Sequence, residues 1–460
     1  MSSIAAISVP NPLLTGRILP TLVRLALPNV LAMTATVVVG IAETSYIGIL
    51  GTEPLAAMAL VFPFAMLTQM MSAGAMGGGV SSAVSRALGA GDLTRARALA
   101  LHAVAIGTVA GVLYSLFFLL FGPALYRLLG GSGRVLVEAV GYSNVLFSGA
   151  VLIWLSNSLA SVLRGTGNMK LPSVTILATS LLQIALGGSL GLGLGPVPRL
   201  GMPGVALGQL IATGTAVAVL LLYLRTNRGR LRLDFRGIAF RGEMFFDILK
   251  VGALACLSPV QAILTVLIFT ALVARFGVAA LAGYGIGARL EFLLIPLAFG
   301  VGVAALPMVG MAIGADAVPR ARRVARTAGG LSALMLGFIG LAVATAPELW
   351  AGLFSRDPAV LLAASQYLRF AGPGFAFFGL GLTLYFAAQG SGNVLGPVLA
   401  STLRLLLVAA GGAWLAHSGA PVAALFALVG ASMTAYGLAT AAAVFFTPWG
   451  GARKPRAATA

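Results

Sequence analysis

The sequence predicts an all-α integral membrane protein of twelve transmembrane helices in two pseudo-symmetric six-helix lobes. Three observations carry that expectation. Hydrophobic residues fill 59% of 460 positions and charged residues only 9%, against about 25% charged in a soluble domain. Apolar stretches of about 20 residues or more, long enough to span a bilayer as helices, follow one another along the whole chain without the alternation of a β-barrel. Motifs of the first half return in the second half in constant register. Sixty glycines fit the same class, because small residues let membrane helices approach closely.

Taken in order, the first span covers 20–48 and follows an N-terminal segment, 1–19, that lacks the basic start and cleavage site of a signal peptide, so the span itself directs insertion. Its apolar run begins near Leu25 and holds one carboxylate, Glu43, before the next charge at Glu53. The second span, 54–84, carries Gln69 and a Gly77-Gly78-Gly79 run; the third covers 96–122. The fourth, 136–162, holds Asn144 and Asn157; the fifth, 170–194, holds Gln183; the sixth, 203–224, holds Gln209. A basic linker, 225–244, separates these from the seventh span, 245–273, with Gln261, and the eighth, 279–312, with Arg289 and Glu291. The ninth to twelfth cover 325–347, 360–387, 395–417 and 422–447, and a short tail, 448–460, follows. Turns bearing Gly, Pro or charge separate them.

The net charge of +18 reflects topology rather than nucleic-acid binding, because the basic residues sit in short loops instead of along one face. With the spans alternating in direction, 21 of the 29 Lys and Arg residues fall on the side of the termini and the 225–244 linker, against five on the other. The positive-inside rule places that side in the cytoplasm. Cys256 is the only cysteine, which excludes disulfides within the chain and argues against metal clusters. His102 and His417 lack metal-ligand spacing, and the glycine runs lie in apolar helices rather than after strands, so neither marks a metal or nucleotide site. The linker reads as a solvated connection between lobes, with contact to anionic lipid as the alternative.

The internal repeat has an offset of 225 to 226 residues. Arg24-Leu25-Ala26 answers Lys250-Val251-Gly252, Gly51…Leu55-Ala56 answers Gly277…Leu281-Ala282, and Gly89…Arg95-Ala96-Arg97 answers Gly314…Arg320-Ala321-Arg322. Arg164-Gly165-Thr166-Gly167-Asn168 answers Gln389-Gly390-Ser391-Gly392-Asn393. Six spans per half make both halves enter from the same side, related by an axis along the membrane normal, as in transporters whose substrate site lies between two bundles.

The intramembrane acid followed by GILGTEPLAAMALVFP (48–63), then GGGVSSAVSRALGAGDLTRAR (77–97), LRGTGN (163–168) and the degenerate copies LAGYGIGAR (281–289), IGADAVPRAR (313–322) and QGSGN (389–393), resemble the multidrug and toxic compound extrusion family over nearly the whole chain. The resemblance implies a V-shaped pair of lobes that alternately face the two sides and expel organic cations in exchange for H⁺ or Na⁺, a monomer, and a bacterial inner-membrane location. It places the family's first-helix acid, usually Asp, on Glu43. Other family acids are missing. The fifth-helix acid of one branch falls on Gly187, and the seventh- and tenth-helix acids of another fall on Gln261 or Ala262 and near Phe378.

Glu43 is the leading coupling residue, since an intramembrane carboxylate is costly and rare unless it functions; a structural, protonated glutamate is the alternative. Thr36 and Gly40 lie on its face of the helix and Thr44 adjoins it. Glu291 is the second candidate acid, with a structural ion pair as its alternative, and Arg289, two residues away, does not share its helix face. Thr36, Gly40, Thr44 and Arg289 are candidates to line the cavity, as are Gln69, Asn157, Gln183 and Gln209, for which bonding of helix to helix is the alternative.

The expected function is secondary antiport of amphipathic organic cations against H⁺, with inward charge movement worth about 2.3 kcal/mol per 100 mV. Na⁺ coupling and a lipid-linked oligosaccharide flippase are the alternatives. No enzyme constellation, cofactor or nucleic-acid partner is expected; membrane lipids surround the chain.

Overall fold

A computed structural model describes residues 11–226, 229–233 and 239–449. The first ten residues, Arg228 and Arg236 of the linker, and the tail basic residues Arg453, Lys454 and Arg456 lie outside the described residues.

Among the described residues the chain is helical without strands. A short helix, Pro12–Thr15, capped by the Asn11 side chain, leads into α1, Ile18–Leu50. The N-lobe continues with α2, Thr52–Gly89; α3, Leu93–Leu128; α4, the pair Gly133–Ser148 and Ala150–Gly165; α5, Lys170–Leu192; and α6, Met202–Arg225. The C-lobe comprises α7, Gly242–Ala274; α8, Val278–Gly314; α9, Val318–Thr345; α10, the pair Pro358–Ala371 and Gly374–Ser391; α11, Leu395–His417; and α12, Val422–Phe446. Side-chain caps fix several starts: Asp92 accepts the Arg95 N–H at 2.8 Å, and Asp357 accepts the Ala359 N–H at 2.8 Å, each satisfying a donor that the first helical turn leaves open.

Two expected spans are broken. The halves of α4 meet at 44° around Gly149, and those of α10 at 55° around Gly372-Pro373. Proline removes a helix donor and clashes with the preceding turn, while Gly372 lets the backbone of α10 cross Gly340 of α9 without room for a side chain. In α2, a wide π-type turn at Met70–Met76 re-aims the helix. Both α2 and α8 also run beyond the expected ends at 84 and 312, because the glycine motifs there are helical and form the contact between lobes.

That contact repeats itself. Gly89 of α2 presses on the Met311 backbone of α8, and Gly314 of α8 presses on the Arg86 backbone of α2. Each residue and its counterpart are 225 apart. The same holds within the lobes, where Gly165 packs on Val84 and Gly390 packs on Val309. The pseudo-twofold axis therefore passes between α2 and α8, at the end of the bundle that carries the linker and both helix-bundle termini.

Polar contacts lock the same end. Asp247 of α7 pairs with Arg86 at 3.2 Å and Arg95 at 3.0 Å across the lobes, and with Lys250 at 3.4 Å on its own helix; Glu243 also reaches Arg95 at 3.2 Å. Arg86 donates to Ser82, whose hydroxyl donates to the Gln389 carbonyl.

The linker is not simply solvated, which corrects the expectation. Leu231 and Leu233 are buried in the N-lobe core, and the Leu233 N–H donates to the Leu224 carbonyl at 2.7 Å. The Arg241 N–H donates to His102 Nε2 at 2.9 Å, with the His102 ring packed edge-on to Phe240 and Phe245. The apolar residues interleaved with the arginines supply this docking, while Arg230, Arg232 and Arg241 are exposed.

Candidate functional site

Glu43 lies in the C-terminal half of α1, away from the linker end, and is only 7% exposed. It faces α5 because α1 turns the stripe Val39, Glu43 and Ile47 inward, one residue per helical turn. Gln183 of α5 donates its Nε2 to Glu43 Oε1 at 2.7 Å. An amide donor to a carboxylate is a charge-assisted hydrogen bond, and it holds one oxygen while leaving Oε2 free of any hydrogen bond among the described residues. Tyr142 of α4 lies within electrostatic reach of the carboxylate. Gly188 of α5 gives room to the Tyr46 ring, one turn beyond Glu43.

Gly187, which the family resemblance aligned with a missing acid, is a packing position: the α5 backbone at Gly187 meets Gly208 of α6 at a distance that leaves no space for a side chain at position 208. Gln209 follows on α6, half-buried, with no side-chain hydrogen bond among the described residues. Thr36 and Thr44 are exposed and donate to their own helix, to the carbonyls of Met33 and Gly40 respectively, each at 2.7 Å.

A second polar group forms around the π-type turn of α2. Asn157 of α4 donates to Ser72 Oγ at 2.8 Å and to Gln69 Oε1 at 3.3 Å, and Ser72 donates to the Thr68 carbonyl at 2.7 Å. Gln69 and Asn157 are thus brought to each other rather than to Glu43. Ser72 is the member that sequence reading missed; a serine in an apolar helix gives no local signal of its partner.

Glu291 belongs to a separate C-lobe cluster. Its Oε1 accepts from the Tyr367 hydroxyl of α10, and Arg404 of α11 lies within electrostatic reach. The Arg404 guanidinium stacks over Phe378 at 5.3 Å. Arg289 points elsewhere, over the Phe354 ring at 5.2 Å. No contact among the described residues joins Glu291 to Glu43, and no group of three or more His, Cys, Asp or Glu forms a metal site among them. A cavity of about 320 Å³ lies at the opposite end from the linker, lined by Glu138, Arg199 and Met202 among others, and includes none of these acids.

Known proteins resemble this chain in sequence and in fold. The chain is 26% identical to the Probable multidrug resistance protein YoeA of Bacillus subtilis, over 84% of this chain and 83% of that one. It is 26% identical to the FAD transporter of Shewanella oneidensis over 77% and 78% of the two chains, and 24% identical to the Probable multidrug resistance protein NorM of Thermotoga maritima over 84% and 82%. Its fold is similar to that of a multidrug resistance MATE family transporter of the MOP superfamily in its outward-facing conformation, with a TM-score of 0.85 and 23% identity over 94% and 96% of the chains. A MOP superfamily transporter from Pyrococcus furiosus gives a TM-score of 0.86 at 22% identity over 95% and 96%. The family model MatE matches twice, at residues 28–187 and 256–415, so the chain is a member of the MatE family of multidrug and toxic compound extrusion transporters.

Proposed function

We propose that this transporter exports amphipathic organic cations in exchange for protons, with Glu43 as the carboxylate at which the two compete. The observation that carries the reading is the isolation of Glu43: one acid in the C-terminal half of α1, shielded from water, held by a neutral amide and without a paired cation. A neutral donor leaves the carboxylate's charge uncompensated, so either a proton or a substrate cation can supply the missing positive charge. Binding of one displaces the other, and coupling that exchange to movement of the lobes suffices for antiport. The chain moves its substrate without transforming it. We further propose that Glu291, held by Tyr367 with Arg404 nearby, braces the C-lobe.

The linker end is cytoplasmic on the strength of its basic residues, in a bacterial inner membrane. The interlocked lobes at that end then correspond to a state closed to the cytoplasm. Na⁺ remains the rival coupling ion, but Thr36 and Thr44 are turned to their own backbone and bring no converging oxygens to Glu43.

The test is uptake of a fluorescent lipophilic cation into proteoliposomes under separate pH and Na⁺ gradients, for wild type and Glu43→Gln. Uptake driven by the pH gradient and lost in the variant is the expected result. Drive by Na⁺ alone would assign Glu43 to a sodium site, and failure with every cation would turn the search to anionic substrates, including lipid-linked sugars.

A further inference from the structure

Arg164, in the LRGTGN motif, carries a charge that the transport reading leaves unused. It is 3% exposed, yet its guanidinium makes no hydrogen bond or ion pair among the described residues, and its Nε is buried without a partner. A buried, unpartnered charge is strongly unfavourable, and buried charges are ordinarily paired.

Arg164 lines a small, partly open cavity of about 10 Å³ between the lobes. The cavity sits on the pseudo-twofold axis, and its two walls are repeats of each other with opposite chemistry. Ser81 and Ser161 on the N-lobe side are answered, 225 residues on, by Leu306 and Phe386 on the C-lobe side. Arg164 itself is answered by Gln389, which is fully buried against Gly78 with neither end of its amide hydrogen-bonded. The Ser81 hydroxyl is also buried without a partner. Arg164, Ser81 and Ser161 thus line a space with no acid.

We propose that this cavity binds a single small monatomic anion, chloride in a cell, held by Arg164 and Ser81. Because residues of both lobes line the space, the site is complete only while the linker end is closed, and binding of the anion stabilises that conformation. The inference rests on the interface geometry and not on the identity of the exported substrate.

Cys256 supplies the reporter. It is the only cysteine, buried on α7 at the same interface, with its Sγ 4.0 Å from the Met71 carbonyl of α2. The experiment measures alkylation of Cys256 by N-ethylmaleimide in the purified full-length protein, in chloride and in equimolar gluconate, which is too large for the cavity. Chloride at ten times its dissociation constant is expected to slow alkylation about tenfold. Arg164→Gln should make the rates in the two salts equal. If that variant does not fold, Ser81→Val, which fills the cavity and leaves the arginine, should do the same. Equal rates in the two salts for wild type would mean that water alone occupies the cavity and would overturn the proposal. So would a chloride effect that survives both substitutions.

Discussion

Gln183 and Glu43, on helices α5 and α1, meet through a 2.7 Å hydrogen bond from the amide nitrogen to one carboxylate oxygen. The bond ties α5 to α1 within the N-lobe and fixes which way the acid points. Replacing Gln183 by Leu removes the donor while keeping the volume. A hydrogen bond to a charged group is worth about 1.5–3 kcal/mol, so proton-driven uptake should fall at least about tenfold, with the protein still monodisperse by gel filtration. Unchanged uptake would show that Gln183 does not position the acid.

Gly89 should be intolerant of any side chain for a reason that a solvent-facing glycine is not. A Cβ there would collide with the Met311 backbone, which cannot rotate away as a side chain can. Gly89→Ala is expected to destabilise the closed linker end by about 1–3 kcal/mol, the usual cost of overpacking, and to speed Cys256 alkylation. Gly91, at the nearby turn, has open space beside it but a φ of 75°; Gly91→Ala should cost about 1 kcal/mol from backbone strain and leave the alkylation rate unchanged.

Asp247 draws together arginines from two N-lobe helices, and its side chain is 18% exposed. Asp247→Asn keeps the shape and removes the charge, leaving Arg86 and Arg95 facing each other. Partial solvent access reduces the penalty of a broken buried pair, so a loss of about 1–3 kcal/mol is expected. Faster Cys256 alkylation at low salt, converging with wild type as salt rises, is the measurable outcome.

His102 anchors the linker. Its Nδ1 lies 2.7 Å from the Ala98 carbonyl and its Nε2 accepts from Arg241, which fixes the neutral tautomer with the proton on Nδ1. His102→Ala removes the acceptor and the ring on which Phe240 and Phe245 pack. Trypsin should then cut the arginine-rich linker at least about tenfold faster, since cleavage follows the population of the undocked segment, while the spans remain intact. Equal cleavage rates would show that Leu231 and Leu233 alone hold it.

Much of this architecture is legible in the linear chain because its signals are local. Apolar length marks a span wherever that span packs, so the number of spans and the class of protein follow from hydropathy. A repeat at constant register, such as Arg164-Gly165 against Gln389-Gly390, needs only comparison of the chain with itself. An isolated Glu43 in an apolar run stands out for the same reason. The breaks at Gly149 and Gly372-Pro373 were less visible, because glycine and proline are tolerated in membrane helices when neighbours resupply the lost contacts.

What the tertiary structure alone decided is which faces meet. That Gln183 rather than Thr36 or Thr44 bonds Glu43, that Glu291 joins Tyr367 while Arg289 stacks on Phe354, and that Asn157 binds Gln69 and Ser72 all depend on the rotation of one helix against another. Hydropathy does not encode that rotation in helices that are apolar on every side. It is set by where glycines allow backbones to touch, at Gly89 on Met311 and Gly314 on Arg86, and that choice also brings Arg164 and Gln389, 225 residues apart, to the interface between the lobes.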